Sequence, residues 1–120
     1  MEKPKVLYVD DDSINLQLFE AYMEDKFQVL LAGDALTGLE MLQSQGNIRI
    51  VVSDMKMPYM DGIEFISKAR TKHPSVKYFL LTAYDVSCDI REALDQGLIV
   101  KCFHKPITMN SIEHELNKVI

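Results

Sequence analysis

Short apolar runs alternate along the chain with longer stretches whose hydrophobic residues recur every three or four positions, five times over. Lys5 to Val9 (KVLYV) predicts a β-strand that stops abruptly at acid. Ser13 to Lys26 predicts a helix with Ile14, Leu18 and Tyr22 at four-residue spacing as its apolar face, and Asp12 or Ser13 as N-cap. Phe27 to Ala32 (FQVLLA) predicts a second strand, and Ala35 to Gln45 a second helix closed by Gly46. Arg49 to Ser53 (RIVVS) is almost continuously apolar, the pattern of a strand covered on both faces. A loop with Met57-Pro58 and Asp61-Gly62 leads into a helix carrying Ile63, Ile66 and Ala69. Lys77 to Leu81, a helix over Val86 to Gln96 stopped by Gly97, Ile99 to Phe103, and a helix from Thr108 with Ile112, Leu116 and Ile120 on one stripe complete the series.

Strict strand–helix alternation with short connections implies a parallel sheet with helices on both faces. The expected architecture is α/β: a flavodoxin-like (βα)5 three-layer sandwich with sheet order 2-1-3-4-5, one domain over residues 1–120. Ligands of such sheets bind beyond the carboxyl ends of the strands, beside the switch point between strands 1 and 3. The residues just after each strand therefore carry the functional question.

Composition narrows the field. Hydrophobic residues make up 48% and charged residues 26%, the mix of an ordinary globular chain. A net charge of −5 repels a phosphate backbone, so direct nucleic-acid contact is not expected. Cys88 and Cys102 show no metal-ligand spacing and read as free thiols of a reducing compartment. With no signal-like or membrane-spanning run, the expected location is the cytoplasm and no membrane partner is expected. Beginning at Met1 and stopping straight after the last helix, the chain is expected to be either a stand-alone regulator or a domain cut from a longer protein, with a slight preference for the second.

The strand ends carry Asp10, Asp11 and Asp12 after strand 1, Asp54 after strand 3, Thr82 after strand 4 and Lys105 after strand 5. Strands 1 and 3 are neighbours in the expected order, so their carboxylates should converge and require a compensating cation. An all-oxygen donor set suits Mg²⁺, with Mn²⁺ the other ion that fits. Lys105 adds a second positive charge, and the Thr82 hydroxyl can donate to an oxyanion. The constellation is an anion site around a nucleophilic carboxylate, because aspartate can form an acyl phosphate.

These residues resemble a known family, the receiver domains of two-component response regulators. VLYVDDD resembles its acidic motif, DMKMPYMDG (Asp54 to Gly62) its phosphoacceptor loop, LLTAY its hydroxyl motif and HKP (His104 to Pro106) its lysine motif. The resemblance implies a Mg²⁺-dependent phosphorylation switch in which Asp54 takes a phosphoryl group from a histidine kinase or a histidine phosphotransfer protein. It makes Asp11 and Asp54 metal ligands, with Asp10 acting mainly through water and the Lys56 backbone carbonyl as a further ligand. Thr82 would bind a phosphoryl oxygen, Lys105 would pair with Asp54 or its phosphoryl group, and Pro106 would fix the lysine's backbone, commonly through a cis peptide bond. The resemblance also implies an output domain in a longer chain, or a homodimer formed on phosphorylation. An enzyme of external substrates is not expected.

Two departures matter. The aromatic that reports phosphorylation in many members is replaced by Cys102, while Phe103 lies one residue later and should face the core. Lys56 and Tyr84 occupy positions that border the path of hydrolytic water in the family, and this bulky pair is expected to slow loss of the phosphoryl group. Three alternatives fit less well. A haloacid-dehalogenase-type phosphatase needs an acid where Lys56 stands. An FMN carrier needs neutral donors where three aspartates stand. A receiver-like interaction module that is not phosphorylated usually lacks the acceptor, an acid or the lysine.

Overall fold

The computed structural model describes residues 3–83 and 86–120. Its elements alternate as β1 Lys5–Val9, α1 Ser13–Met23, β2 Gln28–Ala32, α2 Ala35–Ser44, β3 Ile48–Asp54, α3 Gly62–Lys72, β4 Lys77–Thr82, α4 Cys88–Asp95, β5 Lys101–His104 and α5 Met109–Asn117. All strand pairings are parallel and the order is β2-β1-β3-β4-β5, as the alternation predicts.

Alternation along each strand divides the core into two layers. Leu7, Val9, Val51, Tyr78 and Leu80 pack beneath α2, α3 and α4 with Phe65, Ile66 and Ile90. Val6, Tyr8, Ile50, Val52, Phe79, Leu81 and Phe103 pack beneath α1 and α5 with Phe19, Met23, Ile112 and Leu116. Covering both faces is what makes the central strands apolar without interruption.

Several expected boundaries move for identifiable reasons. The helix α1 turns its other side inward: Phe19 and Met23 are buried, whereas Ile14, Leu18 and Tyr22 are 65%, 55% and 42% exposed. The predicted apolar stripe is therefore a solvent face. The α2 helix ends at Gln45 in extended conformation, and Asn47 rather than Gly46 takes the left-handed backbone with φ 67°. Strand β5 begins at Lys101, because the amides of Leu98 and Ile99 are spent on the Ala93 carbonyl where Gly97, with φ 73°, ends α4. On α5, Ile112 and Leu116 are buried but Ile120 lies past the helix and is exposed.

Candidate functional site

The register of β1 on β3 pairs Val9 with Ser53, so the residues that follow, Asp10 and Asp54, emerge side by side at the carboxyl edge. Asp10, Asp11 and Asp54 each offer a carboxylate oxygen, and these oxygens lie within 4.8 Å of one another. Two like charges at that separation repel by about 3.5 kcal/mol at an effective dielectric constant of 20. From across β4, Lys105 donates from Nζ to Asp54 Oδ1 at 3.0 Å. Three carboxylates and this one ammonium sum formally to −2. An all-carboxylate set with such a deficit fits a hard divalent cation.

Burial, above all, pushes the Asp54 carboxyl above its ordinary value; the Lys105 hydrogen bond pulls it back, while Asp10 and Asp11 push it further up. The acceptor candidate is thus a half-screened acid whose charge is costly until a cation answers it. Its backbone is held tightly. Met55 N–H donates to Leu81 O at 2.7 Å and Gly62 N–H to Met55 O at 2.7 Å. A Cβ on Gly62 would stand 2.6 Å from the Asp54 carbonyl oxygen, so only glycine lets α3 start this close to the acceptor. Asp61 caps α3 by accepting from Glu64 N–H at 2.9 Å.

The remaining expected residues fall as follows. Thr82 is buried at the end of β4, and its carbonyl accepts from Lys105 N–H at 2.7 Å. Lys105 precedes Pro106 through a cis peptide bond. Lys56 is exposed and lines, with Met55, Met57, Asp61, Thr82, Ser87 and Ile90, a cleft beside the acidic cluster. Tyr84 lies outside the described residues. Phe103 is buried and stacks on Phe79 with ring centroids 5.7 Å apart, while Cys102 is half-buried on the opposite side of β5. Neighbouring strand residues face opposite ways, so Cys102 and Phe103 belong to different layers of the core.

Sequence reasoning passed over two donors. Tyr8 sits two residues before Asp10 on the same strand face, and its hydroxyl donates to Asp10 Oδ2 at 2.7 Å. Asn15 Nδ2, from α1, donates to the same oxygen at 3.2 Å, and Asp12 N–H donates to Oδ1 at 2.9 Å. Burial first, then the hydrogen bond to Asp10, pushes the Tyr8 phenol far above its ordinary value. The signal that could have found Tyr8 is its period-two spacing to Asp10, which a tyrosine in an apolar run conceals.

The sequence matches the family described as the response regulator receiver domain over residues 6–117. It is 28% identical to sporulation initiation phosphotransferase F of Bacillus subtilis, covering 100% of this chain and 96% of that protein. It is 33% identical to a probable chemotaxis protein CheY of Rhizobium etli, covering 98% of this chain and 93% of that one. Other curated relatives are longer, and the chain spans 27% and 24% of two of them. Among solved structures, one described as adenylate cyclase from Rhodopirellula baltica superposes with a TM-score of 0.94 at 28% identity, covering 98% of this chain and 87% of that one.

Proposed function

The chain belongs to the response regulator receiver domain family, and from that premise we propose that Asp54 accepts a phosphoryl group from the phosphohistidine of a kinase or phosphotransfer protein, switching the domain between two conformations. The observation that carries this assignment is the Asp54 carboxylate beside two further acids and in a 3.0 Å ion pair with Lys105. Such a group is nucleophilic, buried against water, and flanked by a fixed cation.

In the reaction an Asp54 oxygen forms a bond to phosphorus as the bond from phosphorus to the donor's histidine nitrogen breaks. The electron pair leaves with that nitrogen, which takes a proton from solvent. Asp10, Asp11, Asp54 and the Lys56 carbonyl would hold Mg²⁺, which supplies charge neutralisation for the phosphoryl oxygens. Lys105 stays within reach of the group on Asp54, and Thr82, at the adjoining strand end, donates its hydroxyl to it. The added group carries about −1.5 to −2 charges, and drawing Thr82 toward it pulls the β4–α4 connection, where the change is passed on. Lys56, exposed at the mouth, governs with Tyr84 how long the group survives. No external substrate is turned over in this reading. The signal passes to an output domain in a longer chain or to a phosphorylation-dependent homodimer, in the cytoplasm where the donor is charged. Among the described residues, no helix is long and apolar enough to cross a membrane.

Intact mass after incubation with acetyl phosphate and Mg²⁺ tests the assignment. One added phosphoryl group is expected, lost with EDTA and lost in Asp54→Asn. Retention of the added mass in Asp54→Asn would place the acceptor elsewhere.

A further inference from the structure

A hydroxyl in the middle of a buried strand costs free energy unless it is bonded, and phenylalanine would fill the same space without that cost. Tyr8 is 2% exposed, on the second-last position of β1. Its ring is stacked on Phe19 with centroids 4.3 Å apart and planes 12° from parallel. Strand and ring together fix where the hydroxyl points, and it points at Asp10 Oδ2, 2.7 Å away. Asp10 itself is fully buried.

The consequence follows from counting lone pairs. An ionised carboxylate has about four acceptor positions. On Asp10 three described donors occupy three of them: Tyr8 and Asn15 on Oδ2, and the Asp12 amide on Oδ1. Such a carboxylate cannot swing, and it retains about one position for a cation or a cation's water. Carboxylates supported in this way hold a metal in one geometry, and loss of a support typically weakens binding about 10- to 100-fold.

We propose that Tyr8 is a positioning residue of the acidic site, holding the Asp10 carboxylate from the core side in the orientation that serves the divalent cation. The inference rests on the receiver reading and adds to it the part of the hydrophobic layer that tunes the cation's affinity. It ties the packing of α1 on the sheet to the chemistry at the carboxyl edge, since Phe19, which clamps the ring, belongs to α1.

The test is Tyr8→Phe, which keeps the ring and its stack and removes one oxygen. Mg²⁺ is titrated into wild type and variant by calorimetry, and the rate of phosphorylation by acetyl phosphate is followed against Mg²⁺ concentration. The expected result is about tenfold weaker Mg²⁺ binding. The Mg²⁺ concentration at half-maximal rate should rise by the same factor, with the rate at saturating Mg²⁺ unchanged. Unfolding in EDTA should remain cooperative. Mg²⁺ affinity equal to or tighter than wild type overturns the inference. So does a variant that no longer folds in EDTA, because that would assign the hydroxyl to the core and not to the site. A wild type that binds no Mg²⁺ and accepts no phosphoryl group would instead bring down the receiver reading itself, so the two failures are separable.

Discussion

Burial separates the two thiols. Cys88 is exposed in the first turn of α4, whereas Cys102 is half-buried on β5, and burial pushes its thiol above the ordinary value. The thiolate is the reactive form. A folded sample treated with a disulfide reagent should therefore show one fast thiol, removed by Cys88→Ser, and a second, slower one. Equal rates would contradict the facing assigned to Cys102, and with it the burial of Phe103 next door. At this scale the sequence is most readable where a polar residue interrupts an apolar run. Asp10, Asp54, Thr82 and Lys105 announce themselves because a strand end is where such a residue can meet a ligand. Tyr8 and Asn15 do not. A tyrosine among valines counts as bulk, and its hydrogen bond exists only once strand pleat and helix packing bring the atoms together.

Elements are readable in kind and order, because hydrophobic period together with run length separates strands from helices. Their facing is less so. Helix α1 carries apolar residues on two sides, and Ile14, Leu18 and Tyr22 at regular spacing outcompete Phe19 and Met23 on paper. The larger ring and the flexible Met fill the core layer, and the regular stripe is left outside. Where α3 begins is settled by close approach. Gly62 sits against the Asp54 carbonyl and the Leu80 side chain, each 2.6 Å from a hypothetical Cβ. Gly62→Ala must push α3 away from β3, and overpacking of this kind costs about 1–3 kcal/mol. The variant should unfold at lower denaturant with an unchanged slope, and phosphorylation should slow as the acceptor's backbone shifts. A variant as stable as wild type and equally fast would show that the α3 start has slack the geometry denies.

Across the whole molecule, charge is sorted between the two edges of the sheet. Cations lead four strands, with Lys5, Arg49, Lys77 and Lys101 at or next to their first residues, while Asp12, Asp34 and Asp61 cap helices at the opposite edge. Acids at helix starts suit the helix dipole, and together with Asp10, Asp11 and Asp54 they make the carboxyl edge attractive to a divalent cation. Folding stability carries two opposed dependences on pH. Asp54 has a raised carboxyl, chiefly through burial. As pH climbs through the carboxylate range the unfolded chain ionises it freely and the folded chain resists, so its contribution to stability is lost on the way up. Glu113 behaves in the other direction. It is buried on α5 and takes a hydrogen bond from Lys26, which holds its carboxyl below the ordinary value and raises the Lys26 ammonium. Its contribution is present above the ordinary carboxylate range and is lost as pH falls through its lowered value. In EDTA, Asp54→Asn should therefore melt higher than wild type, by a margin that widens as pH rises above about 4. Glu113→Gln should melt lower at neutral pH, by a margin that closes as pH falls below about 4. Thermal unfolding of the three proteins from acid to neutral pH reads both signs in one series. Addition of Mg²⁺ should then raise the wild-type midpoint and narrow the advantage of Asp54→Asn, because the cation answers the charge that the substitution removes. Curves for the two variants that run parallel with pH would mean that the acidic edge and the Lys26–Glu113 pair do not carry the opposed roles their surroundings give them.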